Sequence, residues 1–208
     1  MKPVQILHLE CSPRPEACSS RLGRHLSAAL QAETTAPVQV RLRALGVEPL
    51  PALSAAYAGS LILPIAQARA RYGEQLALSD ALCEELAASD VLLISAPVHN
   101  FGIPAVLKNW IDWVVRRDVT FALTAEGKIG LLADRPVLVA VTSGGAMFRD
   151  PPAQPDFFRP YLRAALGGVG LTRIEFVEAP GLAFSAAPEE AVDALARDWI
   201  RRRARPAA

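Results

Sequence analysis

The sequence is poor in the residues that announce most specialised chemistry. Its 208 residues include three cysteines and three histidines. Cys11, Cys18 and Cys83 show no C-x-x-C spacing, which argues against a disulfide framework and against a zinc cluster. His8, His25 and His99 are scattered, and no acidic partner is visible for His99, so no histidine is assigned as a general base. An excess of one charge is also missing. Lys+Arg 22 against Asp+Glu 21 leaves a formal charge of +1, which gives no field for drawing in a polyanion and argues against nucleic acid as a partner. No apolar run approaches the ~20 residues that span a bilayer, and Met1-Lys2-Pro3 leads into a strand pattern, not a signal-peptide core. The expectation is a soluble cytoplasmic protein with no membrane partner. The basic run Arg197–Arg205 closes a helical pattern, where cations complement the dipole, and reads as a solvated terminus.

What the sequence does contain is enough apolar material for one sizeable core: 51% hydrophobic residues and a mean hydropathy of +0.23, in keeping with a single domain over residues 1–208. Short apolar or alternating runs at Val4–Leu9, Val38–Leu42, Val91–Ser95, Val137–Thr142 and Arg173–Val177 predict five strands. Helical spacing predicts helices over Ser20–Ala32, Ile65–Ala88 with a break at Ser79-Asp80, Ala105–Arg117, Pro160–Val169 and Pro188–Arg203. Leu45–Ser60, rich in Ala, Pro and Leu, reads as an irregular surface excursion that contacts a partner subunit. Alternating strands and helices imply a parallel sheet covered on both faces. With five strands and right-handed crossovers, the expected fold class is α/β, a flavodoxin-like doubly wound sheet of order 2-1-3-4-5.

In that order a ligand sits beyond the carboxyl ends of the strands, where the loops after strands 1, 3 and 4 meet. Those loops are Glu10–Ser19, Ala96–Pro104 and Ser143–Asp156, and each is unusual. The first reads E-C-S-P-R-P-E-A-C-S and runs into a helix, so Ser12, Ser19 and Ser20 surround a helix start that can take a phosphate; the competing reading makes Ser19 or Ser20 an ordinary N-cap. Cys18 to Arg24 has the C-x5-R spacing of a phosphatase cradle, but Leu22 and Arg24 already follow the helical pattern. The second loop inserts Pro97, Val98, His99, Asn100, Phe101 and Gly102 between strand and helix, more than turn chemistry alone requires. The third begins S-G-G-A, whose glycines let a flat ring approach the backbone. Phe121, in V-T-F-A-L-T, stands in an expected hairpin.

Three stretches carry a family resemblance. P-V-H-N-F-G-I-P-A-V-L-K-N-W-I-D at Pro97–Asp112 resembles the P-M-Y-N-F-x-I-P-x-x-L-K-x-W-I-D of the FMN-dependent NADH-azoreductase branch of the flavodoxin-like quinone reductases. T-F-A-L-T-A-E-G-K-I-G-L at Thr120–Leu131 resembles that family's T-F-x-Y-T-x-x-G-P-x-G-L. P-Y-L-R-A-A-L-G-G-V-G-L at Pro160–Leu171 is similar to its P-Y-L-x-x-x-L-x-F-x-G.

The resemblance implies a homodimeric flavoprotein in which FMN, reduced by NADH or NADPH, passes two electrons to a quinone or azo compound in a ping-pong cycle, with no catalytic side chain required. Carried over by position, Ser12, Cys18, Ser19 and Ser20 hold the FMN phosphate. Pro97, Val98, His99, Asn100 and Phe101 run along the ribityl chain and ring, Ser143, Gly144, Gly145 and Ala146 close over the pyrimidine side, and Phe121 walls the substrate pocket. Three departures stand out. Cys18 replaces the first Ser of the family's S-x-S, His99 replaces a usual Tyr, and S-G-G-A stands where many members have S-R-G-G. Two alternatives are a flavodoxin-type electron carrier, against which the near-neutral charge argues, and a flavin-free sensor or scaffold of the same fold.

Overall fold

The computed structural model describes residues 2–148 and 151–203. A five-stranded sheet of parallel strands forms the centre, built from β1 (Val4–Glu10), β2 (Val38–Arg43), β3 (Val91–Pro97), β6 (Val137–Thr142) and β7 (Ile174–Ala179) in the spatial order β2-β1-β3-β6-β7. In sheet-strand numbering this is 2-1-3-4-5, as the sequence predicts. A separate antiparallel hairpin, β4 (Phe121–Thr124) and β5 (Gly127–Gly130), stands between β3 and β6 in the chain.

Strand periodicity of two sends alternate residues into two apolar layers. Leu7, Leu9, Leu92, Ile94, Val137, Val139 and Val141 face the layer covered by α2 (Ala55–Leu61), α3 (Ile65–Ala88), α4 (Ala105–Val114) and α5 (Phe158–Gly167). Ile6, Leu93, Leu138, Ala140 and Val177 face the layer covered by α1 (Cys18–Ala32) and α6 (Pro188–Arg203). All six residues of β6 are buried, as expected of a central parallel strand covered on both faces. The helices show why they pack. Leu22 and Leu26 lie one turn apart on the buried stripe of α1, and Leu107, Trp110, Ile111 and Val114 make the stripe of α4. Full burial of each such side chain contributes about 1.5–3 kcal/mol. Arg21 clamps α1 to α6 through two hydrogen bonds to Asp193, at 2.6 and 2.7 Å.

Three expectations need correction. The interruption of α3 falls at Tyr72 (φ −131°, ψ 29°), not at Ser79-Asp80. Ser79 instead stays helical and fully buried, its hydroxyl donating to the Trp113 carbonyl at 2.5 Å. The Leu45–Ser60 stretch is not irregular throughout. Ser54 caps α2 by accepting from the Tyr57 N–H at 3.0 Å, and Tyr57 is fully buried, its ring centroid 4.2 Å from that of Trp113. Finally, α4 ends at Val114, three residues short of Arg117. Arg116 leaves the helix to bury its guanidinium against Asp80 at 2.6 Å. At the carboxyl end of α6, Arg203 reaches back to Glu33 at 2.7 Å; residues 204–205 of the expected basic run lie outside the described residues.

Candidate functional site

The carboxyl edge of the sheet gathers all three loops singled out in the sequence. The first is tethered to the second strand pair, since the Cys11 N–H donates to the Ser95 carbonyl at 2.8 Å. It is supported from behind by Gly46, whose N–H donates to the Glu10 carbonyl at 3.0 Å. A Cβ at Gly46 would lie 2.0 Å from the Ser12 carbonyl oxygen, so only glycine lets the two backbones approach. The Ser12 hydroxyl accepts from the Arg14 N–H at 3.2 Å and so shapes the turn. Glu10, at the end of β1, has its carboxyl pushed above the usual range by burial, against the opposing Arg24 cation.

The start of α1 carries the most informative geometry. Its N-cap is Ala17, with no side-chain cap and no acidic residue in the first turn. Ser19 and Ser20 are therefore the second and third helical residues, and neither is the N-cap. Both are buried, at 0% and 1% exposure, and neither hydroxyl has a partner at hydrogen-bonding geometry among the described residues, although Ser20 lies near enough to the Glu10 carboxyl to oppose the upward push of burial on it. Such groups cost about 1–3 kcal/mol each when left unpaired. A helix start with free N–H groups, the positive end of the dipole and two sealed, unpartnered hydroxyls fits a phosphate.

The loop after β3 is a tight reverse turn. His99 and Gly102 exchange backbone hydrogen bonds, each of 3.0 Å, across Asn100 (φ 46°) and Phe101 (φ 70°). Both central residues are left-handed, as a type I′ turn demands. Asn tolerates this region, whereas Phe does so at a cost in strain of a kind concentrated at functional sites. The turn is anchored at both sides, by the Val98 N–H to the Thr142 carbonyl at 2.7 Å and by the Phe157 N–H to the Phe101 carbonyl at 3.2 Å.

The loop after β6 is fixed by its own side chain and by the segment after β7. The Ser143 hydroxyl donates to the Gly145 carbonyl at 2.7 Å. The Gly181 and Leu182 N–H groups donate to the carbonyls of Gly145 and Ser143 at 2.9 and 3.0 Å. Gly144 packs on Ala183 and Gly145 under Gln154, and the Ala146 carbonyl accepts from the Ala153 N–H at 3.4 Å. Residues 149–150 of the expected Ser143–Asp156 loop lie outside the described residues.

Next to the His99–Gly102 turn opens a cleft of about 670 Å³, lined by His99, Asn100, Ile103, Lys108, Phe157 and Tyr161, among others. Its size suits a ring-bearing small molecule. Phe121 does not line this cleft. It sits at the start of the hairpin, 9% exposed, with Lys128 Nζ 3.9 Å from its ring centroid. Sequence reasoning brought together Ser12, Cys18, Ser19, Ser20, Pro97–Phe101 and Ser143–Ala146 at this edge, but it did not single out Lys108, Phe157, Tyr161 or Gly46. No local motif marks Phe157 or Gly46; only the packing of distant segments reveals them. A second groove of about 300 Å³, lined by Gln5, Arg41, Glu84 and Glu85 among others, lies beside β1 and α3, away from these loops.

The family model described as flavodoxin-like fold matches residues 4–202. An FMN-dependent NADH:quinone oxidoreductase of Cupriavidus pinatubonensis is 41% identical over 179 residues, covering 86% of this chain and 87% of that one. The chain belongs to the FMN-dependent NADH:quinone oxidoreductase family. A member from Burkholderia lata is 42% identical over 194 residues, 91% of this chain and 90% of that one. In three dimensions the chain resembles an FMN-dependent NADH-azoreductase from Bacillus anthracis, whose crystal structure is in complex with FMN. Identity there is 20% with a TM-score of 0.81, covering 97% of this chain and 100% of that one, a likeness of fold. For this oxidoreductase family member, the three loops at the carboxyl edge are where the residues present meet the needs of a flavin nucleotide. An uncapped, hydroxyl-lined helix start suits the phosphate, and a cleft beside a strained turn suits a ring.

Proposed function

We propose that this chain is an FMN-dependent NAD(P)H oxidoreductase that reduces quinones, azo compounds or both by two-electron ping-pong transfer. The observation that carries the proposal is the pair of sealed, unpartnered hydroxyls of Ser19 and Ser20 in the uncapped first turn of α1. These two, with Ser12 and Cys18 beside them, would hold the FMN phosphate. Pro97–Phe101 would flank the ribityl chain and ring, and Ser143–Ala146 would supply the backbone edge facing the ring's polar side. When bound, FMN supplies the hydride chemistry, taking a hydride from the nicotinamide and giving it to the acceptor.

What the protein contributes is position and field. The hydrogen bonds of the His99–Gly102 turn and of the Ser143–Gly145 loop hold backbone dipoles in place before any ligand arrives, the preorganisation that makes such groups effective. The cleft walls formed by Ile103, Phe157 and Tyr161 would supply apolar surface for a planar ligand. Lys108 stands at the same cleft with its ammonium paired to Asp112 at 2.5 Å.

A homodimer is part of the proposal. Phe101, Phe157 and Phe184 all project from the carboxyl edge at 44%, 64% and 88% exposure, and large exposed aromatics grouped at one edge support a covering partner. Sedimentation that finds only monomer at working concentration would contradict the dimer. Among the described residues no helix is long and apolar enough to cross a membrane, and the cytoplasm remains the proposed location.

The deciding experiment is the visible absorption spectrum of the purified protein before and after incubation with FMN and desalting, followed by anaerobic NADH. Retained flavin that bleaches with NADH is the expected result. Flavin lost on desalting would favour the sensor or scaffold reading, and flavin that stays bound but does not bleach would favour the electron carrier.

A further inference from the structure

We propose that Cys18 is a thiol modification site that gates occupancy of the phosphate cradle, so that an adduct on its sulfur and a phosphate at the first turn of α1 exclude each other. The inference rests on the proposal above that this turn takes the FMN phosphate. Three observations carry it. Cys18 is the first residue of α1, immediately ahead of the two unpartnered buried hydroxyls of Ser19 and Ser20. It is half-buried, with one side packed on the α1–α6 layer. The other two cysteines are sealed: Cys11 is fully buried and Cys83 is 3% exposed.

The sealed pair is also held in the unreactive thiol form. Burial pushes the Cys11 thiol far above its ordinary range and the Cys83 thiol up to about 11. A thiol-directed reagent meeting the folded protein therefore finds one target, and that target opens the helix whose N–H groups and hydroxyls are available to a phosphate.

The chemistry is thiol–disulfide exchange with a low-molecular-weight disulfide. The Cys18 thiol gives its proton to solvent and its sulfur attacks one sulfur of the disulfide. A new S–S bond forms as the old one breaks, and the other half leaves as a thiolate. Excess thiol reverses the step. The adduct occupies space at the mouth of the first turn, and a bound phosphate occupies the same space, so each weakens the other by the same factor.

The test uses the full-length chain freed of flavin. Glutathione disulfide and, separately, iodoacetamide are added with and without saturating FMN or riboflavin, and modification at each cysteine is followed by peptide mass spectrometry. FMN affinity is read by quenching of flavin fluorescence on the unmodified, modified and dithiothreitol-restored protein. Modification confined to Cys18, slowed about tenfold or more by saturating FMN but not by riboflavin, and an adduct that weakens FMN about tenfold or more and is reversed by dithiothreitol when it is a mixed disulfide, would support the gate. Whatever FMN affinity Cys18→Ser itself shows, neither reagent should change it.

The proposal fails if the unmodified protein binds FMN, and Ser19→Ala weakens that binding, while the Cys18 adduct leaves it unchanged. Equal protection by riboflavin also overturns it, because riboflavin has no phosphate. If the unmodified chain binds no FMN, or Ser19→Ala leaves FMN binding unchanged, the cradle reading itself falls and the gate falls with it.

Discussion

His8 Nε2 and Ser95 Oγ lie 2.6 Å apart in the buried layer beneath α1, on strands β1 and β3 that pair in parallel. Gly23 of α1 rests on this pair so closely that a Cβ there would lie 1.8 Å from Ser95 Oγ and 2.9 Å from His8 Nε2. A polar pair in an apolar layer is tolerated because each partner satisfies the other. It also places a titratable ring where it cannot easily be charged.

The first prediction follows from that ring. Burial, and secondarily the Arg24 cation, lower the His8 pKa from 6.5 to about 4. In the folded state the imidazole therefore stays neutral at pH values where the unfolded chain protonates it. Between pH 6.5 and about 4 the unfolded state binds the extra proton, so stability falls as pH falls, by up to about 3 kcal/mol across the window. Urea unfolding midpoints at pH 7 and 4.5 should show this slope, and His8→Gln should flatten it. A variant with the same pH dependence as the parent would assign the acid sensitivity to other groups.

The second prediction concerns a trade between stability and binding. Ser19→Ala and Ser20→Ala each remove a hydroxyl that is buried without a partner, and the flavin-free protein should gain about 1 kcal/mol from each. FMN affinity should fall about tenfold per substitution, because in the proposed cradle the same hydroxyl would donate to the phosphate. Thermal melts without flavin and fluorescence titrations with it are read side by side. Destabilisation of the flavin-free protein by either change would show that these hydroxyls are not orphaned in solution.

How much of this was legible beforehand differs between fold and site. Strand alternation and helical spacing are local signals, and Val91–Ser95 or Leu22–Leu26 carry them fully. Loop chemistry is local too, so Asn100, Gly144 and Ser19 stand out from composition alone. The α3 interruption at Tyr72 does not, because Ser79 and Asp80 look like breakers until tertiary packing gives Ser79 a buried carbonyl and Asp80 a buried guanidinium. Tyr57 was hidden in an Ala/Pro/Leu-rich stretch for the same reason. Ser19 could be read locally as a cap, and only the observed helix start at Cys18 rules that out.

A third prediction tests the support of the phosphate loop. Gly46→Ala would place a methyl 2.0 Å from the Ser12 carbonyl oxygen and 2.7 Å from the Pro13 nitrogen. Both are backbone atoms, so the loop itself must shift. The cost should be about 1–3 kcal/mol in stability, with a loss of FMN affinity although Gly46 is no part of the proposed cradle. Gly167→Ala is the control, since its new methyl meets nothing within 4 Å and Gly167 is no part of the proposed site. Equal loss of flavin affinity in both variants would refute the idea that backbone support at Gly46 matters.

The last prediction separates the turn's conformation from its side chains. Phe101 holds φ 70° and is 44% exposed, so its ring contributes little packing while its backbone stores strain. Phe101→Gly relieves the strain but frees the unfolded chain, and stability should change by less than about 1 kcal/mol. Phe101→Val puts a β-branched residue in the left-handed region and should cost about 1–2 kcal/mol. Asn100→Ala keeps the fold at a cost of about 1 kcal/mol yet should weaken FMN, because Asn100 offers both an amide and the turn that presents it to the cleft. Equilibrium unfolding ranks the three for stability, and flavin titration ranks them for binding. If strain at Phe101 is real, valine falls below glycine in the first ranking; if this turn belongs to the site, Asn100→Ala falls below Phe101→Gly in the second, and unchanged flavin affinity in Asn100→Ala would remove the loop from the site altogether.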